Sequence, residues 1–298
     1  MITRRGFNVL STALALSPAA ARAASRAMAK ASAFSGLPDE FGRIERDSGG
    51  RLGVAVLDTG SGEATDHRGD ERFPMCSTFK ILAAAAVLTK VEAGRERLDR
   101  SIAFGPTDIV ENSPITSARV SQGHMSLAEL CEAAITVSDN TAGNLLLADI
   151  GGPAGLTAFA RSIGDAVTRL DRIEPALNEA LPDDPRDTTS PKAMLADLKS
   201  LVLGTRLNPT SRKQLTEWLL GNKTGGARLR ARLDPKWRVA DKTGSGERGT
   251  TNDAGVIWPA NRAPLIVSVY LTGSSGNGDA RNATIAAVGQ AIGSAITA

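Results

Sequence analysis

The chain has 298 residues, of which 42% are hydrophobic and 22% are charged, with 30 glycines and 14 prolines. This composition is ordinary for a globular protein with one large or two small domains. The formal net charge is +3, but the excess lies in residues 1–23, and the remainder carries 32 basic and 32 acidic residues. With only 4% aromatic residues and no run of lysine or arginine, the sequence gives little support to nucleic-acid binding.

The first 23 residues have the layout of an export signal. Arg4 and Arg5 precede a mostly apolar segment at 9–16, and a small-x-small cleavage pattern follows at 21–23. The paired arginines resemble a bacterial twin-arginine signal, and a disordered basic N-terminus is the alternative. The apolar segment is too short to span a bilayer. We expect a periplasmic or secreted protein that starts near Ala24 and has no membrane contact after processing.

Cysteines and histidines are few. His67 and His124 lie far apart without metal-ligand spacing, so the sequence predicts no metal site and no cofactor, and both histidines are expected at the surface. Cys76 and Cys131 would suffice for one disulfide in an oxidising compartment, and their spacing alone does not decide whether it forms.

The predicted elements run helix, strands, many helices, strands, helix. Apolar spacing and turn residues place a first helix at 34–48, a strand at 51–57 with a short partner before residue 72, helices between 77 and 221, strands at 237–240, 251–258 and 265–271, and a closing helix at 280–296. A loop at 169–189 is rich in Pro, Asp and Asn, and loops of this length are often functional.

Strands at both ends of the chain must pair to hide their edges. The sequence therefore predicts an α+β fold with two lobes. A five-stranded antiparallel sheet flanked by the N- and C-terminal helices takes residues 34–72 and 222–298, and an all-helical lobe takes 73–221. Ser77 lies where the chain passes between the lobes, a favoured place for a cleft.

The first chemical motif is Ser77 with Lys80, at the head of the apolar run 81–88. Spacing of i, i+3 puts both side chains on one helix face. The ordinary interpretation is a helix cap with a solvated lysine. The functional one is a nucleophile with an adjacent base.

Three more motifs follow at Ser138-Asp139-Asn140, Glu174 to Asn178, and Lys242-Thr243-Gly244-Ser245. Singly, each fits a turn, a loop or the end of a strand. Together and in this order, Ser-x-x-Lys, Ser-Asp-Asn and Lys-Thr-Gly form the signature of penicillin-recognising serine enzymes. The chain from about residue 34 to its end resembles a class A serine β-lactamase. Outside the motifs, the segments at 164–172 and 252–259 also resemble this family.

The resemblance implies hydrolysis of the β-lactam ring of penicillins and cephalosporins through a serine acyl-enzyme, and with it antibiotic resistance. Ser77 would attack the lactam carbonyl, and backbone N–H groups of Ser77 and Ser245 would hold the oxyanion. Lys80 is a base only if burial or a neighbouring charge, such as that of Lys242, lowers its pKa. Ser138 would pass a proton to the leaving nitrogen.

Glu174 and Asn178 resemble the pair that holds the water for deacylation, the step that distinguishes a β-lactamase from a penicillin-binding target. The resemblance leaves the acylation base open between Lys80 and Glu174. It also implies that Asn140 binds the acylamide side chain of the substrate. The resemblance further implies that a salt bridge between Arg172 and Asp187 closes the loop. It also implies a cis peptide bond between Glu174 and Pro175.

The substrate carboxylate is expected to meet Lys242, Thr243 and Ser245. Many relatives add an arginine at the position that reads Thr251 here. Arg228 matches an alternative placement of that arginine, and an exposed loop cation is the other interpretation.

Other positions depart from the family pattern. The cleft rim, often aromatic, has Asn112. Cys131 matches half of a disulfide found in some relatives, but the partner position reads Ala84; Cys76 matches half of another, whose partner position reads Gly246. We therefore predict two free thiols.

Two other functions share the same nucleophile, a D,D-peptidase-like penicillin-binding protein and a β-lactam sensor that stays acylated. Glu174 and Asn178 argue against both, because they serve deacylation. We expect a monomer with small-molecule β-lactam substrates, and the sequence leaves their spectrum open.

Overall fold

The computed structural model describes residues 32–297, and the predicted signal at 1–23 lies outside that range. The α-helices are α1 Leu37–Ser48, α2 Phe79–Glu92, α3 Pro114–Arg119, α4 Leu127–Thr136, α5 Asn140–Ile150, α6 Gly152–Ser162, α7 Pro191–Leu198, α8 Pro209–Leu220 and α9 Gly278–Thr297. The strands are β1 Arg51–Asp58, β2 Ala64–His67, β3 Phe73–Pro74, β4 Ser101–Ala103, β5 His124–Ser126, β6 Thr188–Thr189, β7 Arg238–Gly246, β8 Thr250–Trp258 and β9 Leu265–Thr272.

Five strands form one antiparallel sheet in the order β2-β1-β9-β8-β7. The predicted pairing of both chain ends is confirmed, since β1 from the N-terminal part lies against β9 from the C-terminal part. Helices α1 and α9 cover one face and bury Phe41, Ile44, Ile285 and Ile292 against it. The two-lobe α+β fold follows from this sheet and the helices on its other face.

The helical lobe is centred on α2. Every residue from Phe79 to Leu88 is buried, as an apolar helix must be when neighbours surround it. Helix α7 fastens this lobe to the sheet, because Ser268 Oγ of β9 donates to Pro191 O at 2.6 Å. Residues 32–297 include no helix with the length and apolar character needed to cross a membrane.

Strand β7 is longer than predicted. The pattern placed it at 237–240 with Lys-Thr-Gly just after its end, whereas β7 continues to Gly246 and contains that motif. Pairing with β8 extends as far as Gly246 opposite Thr250, so cross-strand bonds outweigh the low strand preference of the glycines. His124 is exposed as expected, and His67 is partly exposed on the edge strand β2, where it bonds to Glu45 at 2.9 Å.

Candidate active site

A cavity of about 620 Å³ opens between the end of β7 and the loop at 169–189. Its lining includes Asn112, Asn140, Asn178, Ser245 and Gly246. Asn140 connects the cavity to the buried residues beneath it, because its Oδ1 accepts from Lys80 Nζ at 2.7 Å. The predicted motifs therefore meet at one place between the two lobes.

Ser77 lies in a 3₁₀ turn, Cys76–Thr78, that leads directly into α2. Its hydroxyl makes no capping hydrogen bond, so the ordinary interpretation of this motif does not hold. Instead, Ser77 Oγ donates to Glu174 Oε1 at 3.1 Å and accepts from Lys80 Nζ at 2.9 Å. Ser77 is 6% exposed, so this nearly buried hydroxyl contacts two ionisable groups at once.

Lys80 is fully buried, with Nζ 3.0 Å from Glu174 Oε1 and 3.0 Å from Ser138 O. Burial lowers the pKa of Lys80, and the negative charge of Glu174 opposes that shift. The sequence had offered burial or a neighbouring charge as the cause, and burial is the larger one. A lysine with a lowered pKa is a better proton acceptor near neutral pH than a solvated one.

Ser138 lies between the two lysines. Lys242 Nζ donates to Ser138 Oγ at 2.9 Å and to Thr243 O at 2.8 Å, and Lys80 Nζ is 3.5 Å from the same hydroxyl. Burial, together with the positive charges of Lys80 and Arg228, holds the pKa of Lys242 well below its usual range. The Ser138 hydroxyl thus lies between two amines, and a positive charge on one disfavours protonation of the other.

Glu174 enters the site from the long loop and is 1% exposed. Its Oε2 accepts from Asn178 Nδ2, and its backbone is clamped by Asn144, which accepts from Glu174 N at 2.8 Å and donates to Glu174 O at 2.9 Å. The Glu174–Pro175 bond is cis, as the resemblance implied. Sequence reasoning missed Asn144, although its i, i+4 spacing from Asn140 on α5 was a usable signal.

The loop is closed by the predicted salt bridge. Arg172 Nε lies 2.6 Å from Asp187 Oδ2, and Asp187 Oδ1 accepts from the backbone N–H groups of Asp171 and Arg172 at 2.8 and 2.9 Å. Asp187 is 1% exposed. A buried carboxylate with a guanidinium and two N–H donors fixes the base of the loop.

Arg228 reaches the predicted carboxylate position. Its Nη2 donates to Ser245 Oγ at 2.7 Å and its Nη1 to Gly244 O at 2.8 Å, while Nε is held by Asn282 Oδ1 at 2.9 Å. The Thr243 hydroxyl is bonded to that of Thr224. The interpretation of Arg228 as a free loop cation is wrong, because the guanidinium lies at the end of β7.

Comparison with known proteins agrees with this geometry. A model of the beta-lactamase enzyme family matches residues 36–296. Beta-lactamase CTX-M-8 of Citrobacter amalonaticus is 51% identical over 249 residues, which cover 84% of this chain and 85% of that protein. The chain belongs to the class A β-lactamase family.

Other β-lactamases extend the similarity. Beta-lactamase OXY-1 of Klebsiella oxytoca is 49% identical over 84% of this chain and 85% of its own length. The solved structure of an ancestral (GNCA) class A beta-lactamase shares 62% identity with a TM-score of 0.85, covering 86% of this chain and 98% of that one. The five-stranded sheet and the helical lobe are thus those of class A β-lactamases.

Two further observations concern the cysteines and the residues that could bind a metal ion. Cys76 and Cys131 are buried free thiols, as predicted, and burial raises the pKa of both. Residues 32–297 include no cluster of three or more His, Cys, Asp or Glu side chains suited to a metal ion.

Proposed function

We propose that this β-lactamase hydrolyses penicillins and cephalosporins through an acyl-enzyme on Ser77 and thereby confers β-lactam resistance. The observation that carries the proposal is the contact of one hydroxyl with two candidate bases, Lys80 at 2.9 Å and Glu174 at 3.1 Å. Loss of the hydroxyl proton to either group makes Ser77 Oγ a nucleophile. The backbone N–H groups of Ser77 and Ser245 would stabilise the oxyanion that follows.

Collapse of the tetrahedral intermediate needs a proton on the lactam nitrogen. Ser138 Oγ supplies it in this proposal, and it regains a proton from the lysines bonded to it. A lowered pKa of Lys242 supports this role, since a weakly held proton moves readily through a hydroxyl. Asn140 would bind the acylamide, although its Oδ1 and Nδ2 already contact Lys80 and Glu111 O.

Deacylation is assigned to Glu174 with Asn178. Asn178 Oδ1 is buried and accepts no hydrogen bond within residues 32–297, so it is available to the O–H of a hydrolytic water. Glu174, bonded to the same side chain, would take the proton from that water. This pair supports a β-lactamase over a D,D-peptidase-like penicillin-binding protein or a sensor, because both alternatives retain the acyl group that a β-lactam leaves on the serine.

The substrate carboxylate would meet Ser245, Thr243, Lys242 and Arg228, a group with two cations and two hydroxyls. We propose further that residues 1–23 are a twin-arginine signal that exports the protein to the periplasm or medium, where it acts as a monomer. The division into a sheet lobe and a helical lobe at residues 73 and 222 belongs to the same proposal.

The test uses a chromogenic cephalosporin and intact-protein mass. The wild-type chain should hydrolyse the cephalosporin, and Ser77→Ala should abolish turnover. Glu174→Ala should still acylate with penicillin, with Lys80 as the remaining base, and should stay at the higher mass because deacylation is blocked. Residual turnover near the wild-type rate in Ser77→Ala would refute the nucleophile. A wild-type protein that itself stays acylated would favour the sensor.

A further inference from the structure

Asn252 lies in β8, opposite Gly244 of β7, and is completely buried. Its Nδ2 donates to Pro74 O at 2.9 Å and to Met75 O at 3.2 Å. These two carbonyls belong to the residues that immediately precede the turn of Ser77. The side chain therefore joins the sheet to the segment that carries the nucleophile.

The orientation of this amide is fixed by its partners. A backbone carbonyl only accepts, so the nitrogen of Asn252 must face Pro74 O and Met75 O. Its Oδ1 then points away and has no hydrogen-bond donor in the part of the chain that the structure describes. A buried acceptor without a donor lowers stability, because it has given up its hydrogen bonds to water without replacing them. This arrangement is explained better by a positioning role than by a contribution to stability.

The turn that Asn252 holds is strained. Cys76, between Met75 and Ser77, has φ +44°, in the left-handed region that side chains other than glycine disfavour. Such a conformation persists only where surrounding contacts determine it. Thr78 N and Oγ1 bind Met75 O from within the turn, whereas Asn252 binds it from the sheet.

Gly244 provides the space for this contact. A Cβ built at that position would lie 2.9 Å from Met75 O and 3.2 Å from Asn252 Nδ2. The backbone of Asn252 also serves the opposite side of the site, because its carbonyl accepts from Arg228 Nη1 at 2.7 Å. One residue thus contacts the nucleophile segment with its side chain and the carboxylate-binding cation with its main chain.

We propose that Asn252 is a positioning residue that sets the direction of the Ser77 backbone N–H, and with it the oxyanion site, relative to Arg228. The inference rests on the proposed function, since it concerns the acylation step on Ser77. An effect on acylation can therefore be distinguished from an effect on substrate binding. Loss of the side chain disturbs the nucleophile turn and slows acylation, while the carbonyl that holds Arg228 remains and substrate binding is preserved.

The experiment measures acylation and deacylation rate constants and the binding constant for a chromogenic cephalosporin by stopped flow. Asn252→Leu should lower the acylation rate constant at saturation about tenfold or more, because a misaligned oxyanion donor loses most of its effect. The binding constant should stay within about twofold of wild type, since Arg228 keeps its own partners. The deacylation rate constant should fall as well, because the tetrahedral intermediate of that step uses the same N–H donors.

Asn282→Leu is the matched control. Asn282 Oδ1 holds Arg228 Nε from the other side and does not reach the turn. This variant should weaken substrate binding and leave the acylation rate constant at saturation close to wild type. The opposite pattern, or equal losses in both variants, would overturn the proposal.

Asn252→Asp provides a second measurement that does not depend on the leucine variant folding. A protonated carboxyl donates to only one of the two carbonyls and a carboxylate repels both, so in either protonation state the acylation rate constant at saturation should fall below that of wild type while the binding constant stays within about twofold. An acylation rate constant equal to that of wild type would refute the positioning role. If wild type acylates and Asn252→Leu acylates equally fast, this inference alone fails; if wild type does not acylate, the proposed function fails with it.

Discussion

Asp197 of α7 offers a quantitative test of the fold. This carboxyl is 2% exposed and lies against Asp165, and Oδ2 of neither residue has a partner within residues 32–297. Burial first, and then the charge and hydrogen bonding of Asp165, raise the pKa of Asp197 to about 9 from 3.8. With its pKa at about 9, Asp197 is neutral in the folded protein at pH 7. We predict that Asp197→Asn stabilises the protein, and more so as the pH rises.

The direction in which stability changes with pH follows from which state of the chain binds the proton of Asp197. Below pH 3.8 the folded and unfolded chains both hold this proton. Between pH 3.8 and about 9 only the folded chain holds it, so stability falls as the pH rises, and the fall ends above the folded pKa. The slope is about 1.4 kcal/mol per pH unit, and three units give a penalty of roughly 4 kcal/mol at pH 7. An asparagine amide donates to Asp165 without taking up a proton and removes this slope.

The assay is urea unfolding of wild type and Asp197→Asn at several pH values from 4 to 9. The difference in free energy of unfolding should be small near pH 4 and grow in favour of the variant. Asp183→Asn is the control, because Asp183 is exposed with φ +59°, a conformation that asparagine tolerates. Its difference from wild type should not change with pH. If the difference in free energy of unfolding between Asp197→Asn and wild type is equally independent of pH, the raised pKa of Asp197 is refuted.

Two further predictions concern the reaction. Arg228→Ala should raise KM for cephalosporins about tenfold with a smaller change in kcat, because a charge-assisted contact to the substrate carboxylate is lost, and Arg228→Lys should recover part of it. An unchanged KM would remove Arg228 from the carboxylate site. Asp187→Ala should slow deacylation more than acylation, since the loop that carries Glu174 loses its anchor while Ser77 and Lys80 keep theirs. Mass spectrometry during turnover would show the acyl-enzyme accumulating, and steady-state protein of unmodified mass would contradict the prediction.

Much of the site was predictable because its chemistry is local in sequence. Ser77 with Lys80, and Glu174 with Asn178, each lie within one helical turn, and the structure places each pair in contact. The sheet was predictable for a related reason, since period-two patterns mark strands wherever they pair.

Residues that act across the chain were not predictable in this way. Asn252 is one polar residue among several in its strand, and its role depends on where Pro74 and Met75 fold, 178 and 177 positions away. For Asn144, the i, i+4 spacing from Asn140 indicated a helix face toward the site, but its contacts with the backbone of Glu174 have no signature in the sequence. A helix cap was one of the two interpretations of Ser77 that the local pattern allowed, because local rules do not include the lysine and glutamate that contact its hydroxyl.

The position of β9 in the sheet determines the stage of synthesis at which the chain can become active. This strand is the last of the sheet to be made, yet it lies at the centre, between β1 and β8. A ribosome that has not passed Leu265 therefore carries a chain whose β7–β8 hairpin has no neighbour joining it to β1. Lys242 and Arg228 would then be positioned relative to Ser77 only by local contacts such as those of Ser138 and Asn252, without the continuous sheet behind them. The enzyme should gain activity only once its final tenth is complete, and C-terminal truncations into β9 should abolish it.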